Sequence, residues 1–254
     1  MSLSNNTELQ SPCTRYFEWA AQTGQIKYWD KSRGEKGENV FVKLPFTFIV
    51  LDILSTVKGF SDETQGGIWS NEVRDTRKDS LTVRTKRGVM AQGVYQDIKG
   101  AVQGVRFTQS VYIAYKGDDK QLVIGNFQMS GVANSEFIEF RKNHKIYGNA
   151  IVITGSDDRT KGATKYKAPV FELKETSPET IAEAVELDKE LQEYLKVYLS
   201  RNQDMSNTPS NPANQALYGD DGFTGAPPYL DEAPNAEEKW AAPDDDDPDS
   251  SVVW

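Results

Sequence analysis

The sequence predicts a mainly β fold: a small closed or partly open barrel, one C-terminal amphipathic helix and an acidic tail. Three observations lead there. Six to eight short apolar or alternating runs crowd residues 14–173 with few helical stretches between them. From 174 to 201 apolar residues recur at spacings of three and four. After 202 periodicity ends, and Asn, Pro, Ser, Gly and Asp dominate. The expected organisation is a flexible lead at 1–13, a β-barrel domain at 14–173, a helix packed on it at 174–201, and a disordered tail at 202–254.

"RYFEWAAQTGQIKYWDK" holds two aromatic runs around a Gly-centred turn, a hairpin signal. "NVFVKLP" and "FTFIVLDILSTV" follow, the second apolar enough for a central strand buried on both faces, with Pro45 at a bend or edge between them. Beyond Gly66-Gly67, "IWSNEVRD" and "SLTVRTKRG" alternate, Leu81, Val83 and Thr85 facing one way and Thr82, Arg84 and Lys86 the other. "VYQDIKGAVQG" reads as a short helix. "RFTQSVYIAYKGDDKQLVIGNFQMSG" is the clearest hairpin, its tip at Gly117-Asp118-Asp119. "SEFIEFRKNHK" reads as a helical insert before the strands "NAIVITGS" and "YKAPVFELKE". In "SPETIAEAVELDKELQEYLKVYL", Ser177 caps, Pro178 takes the first helical position and Glu179 sits in the first turn. The stripe Ile181, Ala184, Val185, Leu191, Tyr194, Leu195 and Tyr198 is expected on the barrel, with self-association into a homo-oligomer as the alternative.

The net charge of −9 conceals an asymmetry: residues 1–173 carry a net +5, 174–203 a net −3 and 204–254 a net −11. A basic body joined to an acidic tail is a pattern of nucleic-acid-binding proteins. One cysteine, Cys13, and one histidine, His144, rule out an internal disulfide and a Cys/His zinc set, and point to a reducing cytoplasm. The apolar run around "PFTFIVLDIL" falls well short of the roughly 20 residues that span a bilayer, and no signal-peptide pattern opens the chain. No membrane association and no cofactor are expected.

Catalytic signatures are absent: no phosphate loop, no paired-histidine helix, no nucleophile elbow. His144 lies among Arg141, Lys142 and Lys145 and reads as a surface residue. A metal-dependent nuclease could draw on Asp52, Asp62, Glu63, Glu72 and Asp75, whose spacing is that of an ordinary solvated set. What stands out is the interleaving of rings and cations: Arg15 with Trp19, Tyr28 and Trp29 between Lys27 and Lys31, Trp69 near Arg74, and Arg106 and Tyr112 on one face of their strand. Arg84, Lys86 and Arg87 form a phosphate-tracking set. Binding unpaired bases without sequence preference needs flat rings for stacking and cations along the phosphates. Tyr112 is the expected surface ring of its strand and Tyr115 the core one.

The chain closes on "AAPDDDDPDSSVVW". A basic β body followed by a polar linker, the acids Asp244, Asp245, Asp246, Asp247 and Asp249, and a terminal aromatic, Trp254, resembles the single-stranded DNA-binding proteins of bacteria and bacteriophages. The bacterial tip ends in Pro-Phe directly after its aspartates; here Ser250, Ser251, Val252 and Val253 intervene and the ring is tryptophan, which favours a phage-type protein. The body is similar to phage proteins carrying "PF.F..LD....V.GF" and "G.WSNEV", present here as "PFTFIVLDILSTVKGFSD" and "GGIWSNEV". The resemblance implies an OB-fold-like barrel with insertions, a non-catalytic role in phage DNA replication, recombination and repair inside the bacterial cytoplasm, and a tail that competes for the DNA groove and recruits replication or recombination proteins. Alternatives are a virion component, or an inhibitor of a host factor whose acidic tail mimics nucleic acid.

Overall fold

The computed structural model describes residues 9–61 and 65–206, with side chains through Arg201. The tail residues Asp244–Asp249 and Trp254, and with them Asp62 and Glu63, lie outside the described residues. Among the described residues eleven strands form one sheet, more than the six to eight the sequence suggests; the segment Gly88–Gly93, for instance, adds a strand of its own.

The strands are β1 (Tyr16–Ala20), β2 (Gln25–Asp30), β3 (Glu38–Val42), β4 (Phe46–Ser61), β5 (Gly66–Ser70), β6 (Leu81–Thr85), β7 (Gly88–Gly93), β8 (Val105–Lys116), β9 (Leu122–Ser130), β10 (Ala150–Lys161) and β11 (Thr164–Lys174). The helices are α1 (Tyr95–Ile98), α2 (Gly131–Asn143) and α3 (Pro178–Ser206). The spatial order is β3-β2-β1-β9-β8-β4-β5-β6-β7, antiparallel throughout except for β1 beside β9. The sixteen-residue β4 organises it: one edge pairs with β8, while the other pairs with β10 at Phe46–Ile49 and with β5 at Lys58–Ser61. A bulge between Val50 and Asp52 lets so long a strand turn from one neighbourhood to the next.

Both faces of the sheet are packed. On one, Phe17, Ile26, Phe46, Phe48, Val111, Ile113, Phe127 and Ile151 form the main core beneath α2 and the β10–β11 hairpin. A second cluster on that face, Val57, Ile68, Leu81, Val83 and Ile98, lies under α1. Burial of this apolar surface is the main stabilising contribution, at about 25 cal/mol per Å². The β10–β11 hairpin bends across the main core and touches the β1–β2 turn, where Lys167 N–H donates to Ala21 O at 2.8 Å. No strand ladder closes the sheet there, so the fold is mainly β without a closed barrel among the described residues.

The opposite face receives α3. Ser177 caps it as its sequence indicates, accepting Thr180 N–H at 3.3 Å. Ala184 packs on Ile49, Ala114 and Ala150. Leu191 and Leu195 pack on Leu54, Tyr112 and Ile124. The helix therefore advances in the direction of β4, and it continues five residues past the 201 boundary expected from the sequence. None of the described helices is long and apolar enough to cross a membrane.

Candidate nucleic-acid interface

The apolar partners of α3 end at Leu54, Tyr112 and Ile124. Further along the same sheet face the side chains change character. Arg106 on β8 stands opposite Lys58 on β4, Lys58 opposite Trp69 on β5, Trp69 opposite Arg84 on β6, and Arg84 opposite Val89 on β7. Directly paired residues share a face at about 5 Å spacing, so this row crosses five strands in about 19 Å.

Toward the other edge a second row continues the face: Ser110, Gln128, Glu18, Lys27 and Phe41 are successive cross-strand partners. Lys58 joins the rows, its Nζ donating to both Glu18 and Gln128. Lys27 Nζ lies 4.0 Å from the same Glu18 carboxylate. One acid thus sits between two lysines whose side chains are 12% and 16% exposed, and a second carboxylate, Glu72, accepts from Ser110 of the same row, so the rows carry four cations and two acids, with Arg84 and Arg106 beyond the reach of Glu18. Trp29 lies two residues beyond Lys27 and so shares its face. Lys86 and Arg87 are exposed in the turn between β6 and β7, and Lys31 is exposed just after β2. The Trp69 indole N–H is buried without a hydrogen-bond partner among the described residues.

Of the candidates read from the sequence, Lys27, Trp29, Trp69, Arg84 and Arg106 therefore come together on one face, with Lys31, Lys86 and Arg87 at its margins. The others do not. Tyr28 is 8% exposed and packs edge-on against Phe17 in the main core. Arg15 lies over the Tyr28 ring at 4.5 Å and is paired with Asp118, so its charge is engaged away from this face. Trp19 packs on the main core, its indole N–H donating to Lys167 O at 2.8 Å to hold the β10–β11 hairpin. Arg74 makes a two-pronged contact with Asp52 at 2.8 and 3.1 Å beside α3.

Tyr112 corrects an expectation. The alternation in β8 assigned its face properly, yet that face lies under α3 at this point and the ring is 3% exposed. Its hydroxyl donates to Glu72 Oε2 at 2.5 Å, and Ser110 Oγ donates to Glu72 Oε1. Glu72 N–H in turn donates to the Tyr198 hydroxyl of α3 at 3.1 Å. Cys13, expected in a flexible lead, packs in the same cluster, and burial pushes its thiol up to about 12. Tyr112→Phe would leave a buried carboxylate with one donor fewer, so a loss of about 1–3 kcal/mol is expected in urea unfolding.

Burial also raises the Glu72 carboxyl above its ordinary value, outweighing the two hydroxyl donors. A folded-state value above the unfolded one means the folded chain keeps this proton to higher pH. The contribution is complete below the unfolded value of about 4.3 and is lost as pH rises toward the folded value. Glu72→Gln should therefore flatten the fall in unfolding free energy above pH 4 and leave stability at pH 4 nearly unchanged. An identical pH profile for the two proteins would contradict this account of Glu72.

Lys58, Glu18, Gln128 and Phe41 belong to the face but carry no signal in the sequence. The bulge at Val50/Asp52 reverses the parity of β4, so counting from Phe48 assigns Lys58 to the wrong side. Of the carboxylates considered for a nuclease, Asp52 is held by Arg74, Glu72 is half-buried and accepts from Ser110 and Tyr112 beside α3, and Asp75 accepts Arg77 N–H and pairs with Lys78. Among the described residues no group of three or more His, Cys, Asp or Glu side chains is placed to hold a metal ion. Compared with protein-family models, with curated proteins and with solved structures, the chain matches none.

Proposed function

We propose that this chain is a non-catalytic, sequence-independent single-stranded DNA-binding protein, phage-encoded and acting in DNA replication and recombination within the bacterial cytoplasm. The observation that carries the reading is the cross-strand row Arg106, Lys58, Trp69 and Arg84, continued by Lys27 and Trp29, on one sheet face beyond α3. A face bearing flat rings suits unpaired bases, which present both π faces. In a duplex those faces are stacked out of reach. Each base stacked on a ring contributes about 1–3 kcal/mol, and the cations follow the phosphates. In this reading the bent β10–β11 hairpin and the strands around the main core form an OB-fold-like, partly open barrel carrying insertions.

The acidic segment is the regulator of the same face. From Asp204 onward the chain has 12 acidic residues and one lysine. The course of α3, from Ala184 over Ile49 to Tyr198 beside Glu72, directs its end toward the Thr56–Lys58 stretch of β4. A coil as long as residues 207–254 would reach roughly 40 Å, at an effective concentration on the order of millimolar. Asp244–Asp247 and Asp249 then compete with weak ligands and yield to a longer polyanion, which frees Trp254 and its carboxylate for a replication or recombination partner.

Fluorescence anisotropy with labelled oligothymidylate and a duplex of equal length tests the reading. The single strand is expected to bind more tightly, and with about four phosphates neutralised the slope of log K against log salt is about −3. Removal of residues 244–254 should strengthen binding; equal affinity would remove the competition by the tail, and no binding by either form would remove the reading itself.

A further inference from the structure

Among the described residues, β3 and β7 end the nine-strand order, and each is hydrogen-bonded to a neighbour on one side only. Natural sheets usually blunt such edges with charge or proline, because an exposed edge is a template for another strand. β7 (GVMAQG) contains neither, and β3 (ENVFV) has one charge, at its first residue. The two edges also carry exposed apolar side chains: Val89 at 47% and Met90 on β7, and Phe41 at 48% on β3. Val89 and Phe41 are the terminal members of the two cation-bearing rows, so both lie on the same face as Lys58 and Trp69.

The direction of the strands decides how a second copy fits. Because β1 and β9 are parallel while all other neighbours are antiparallel, β3 and β7 run in opposite senses. A second copy added as a simple continuation of the sheet therefore meets β7 with its own β3 as an antiparallel ladder, with its cationic face on the same side. We infer that copies of this chain associate head to tail, β7 of one against β3 of the next, so that successive faces form one track for a single strand. Phe41 of one copy then packs beside Val89 of its neighbour. In that arrangement Lys86 and Arg87, just before β7, approach Lys43, just after β3. Their repulsion opposes assembly in dilute salt, and a polyanion lying across the junction relieves it. Such heterologous pairing leaves β3 free at one end and β7 at the other, so it extends copy by copy, into a linear array where the rotation between copies does not close a ring.

The inference rests on the proposed function for its driving ligand, and the test separates the two. In a Cys13→Ala background, Phe41→Cys and Val89→Cys proteins are mixed and treated with a short bismaleimide. One arm contains oligothymidylate long enough for several copies, and the other has concentrated protein in 1 M salt without nucleic acid. Cross-linked dimers are expected to require both variants, and with oligothymidylate their yield should rise several-fold over dilute protein alone. Adducts in the salt arm from a protein that does not bind oligothymidylate would retain the edge pairing and discard the binding reading. Binding to the long strand with no mixed adduct in either arm would overturn the edge pairing. So would adducts from Val89→Cys alone, which mark a symmetric β7–β7 dimer.

Discussion

Trp69→Ala should lower the affinity for oligothymidylate by about 5- to 150-fold, the equivalent of the roughly 1–3 kcal/mol that one stacked base contributes. Trp69 stands between Lys58 and Arg84 in the cross-strand row, so a base on its ring has phosphates within reach of both cations. Trp69→Phe keeps a flat ring and should recover most of the loss. Arg84→Glu acts on the other half of the interaction: it should weaken binding about tenfold and make the salt slope shallower by about 0.7. Unchanged affinity and slope in both variants, with unfolding midpoints like the parent, would remove this row from the interface.

Leu191→Ala is expected to be the most damaging substitution for stability. Leu191 has no exposed surface and packs with Leu195 on Leu54, Tyr112 and Ile124. Truncating a fully buried leucine costs about 2–5 kcal/mol, the deleted methyl groups and the residual cavity both contributing. Unfolding in urea should shift to lower denaturant by about 1–2 M. Val185, counted in the stripe expected on the sheet but in fact 48% exposed, serves as the control: Val185→Ala should change stability by less than about 0.5 kcal/mol. Near-equal effects at the two positions would mean that α3 is not docked on the sheet as described.

What the sequence revealed and what it concealed follow from the range of the interactions. The α3 helix was legible because its cap at Ser177 and its apolar stripe are local signals. The β8–β9 hairpin was legible for the same reason, its turn residues lying between two alternating strands. The face of Arg84 also followed from alternation within β6, where Leu81, Val83 and Thr85 are buried. Tyr112 was misread although its parity was right, because what covers a strand face is decided by an element some eighty residues away. That Trp19 and Tyr28 pack on the main core leaves no mark in the sequence, because an aromatic beside a cation looks the same there whether it points outward or into a core. Lys58 was missed because one bulge in β4 inverts the count along an otherwise regular strand. The parallel contact of β1 with β9, which brings Glu18 and Lys27 to this face, joins segments about a hundred residues apart and leaves no local trace.

The most direct test of the central claim is photo-cross-linking of the full chain to an oligonucleotide carrying 5-iodouracil, followed by peptide mapping. Adducts are expected on Trp69, Trp29 and Phe41, on the one sheet face that also bears Lys58 and Arg84. Adducts confined to α2 or to the β10–β11 hairpin would place the strand on the opposite side of the molecule and contradict it.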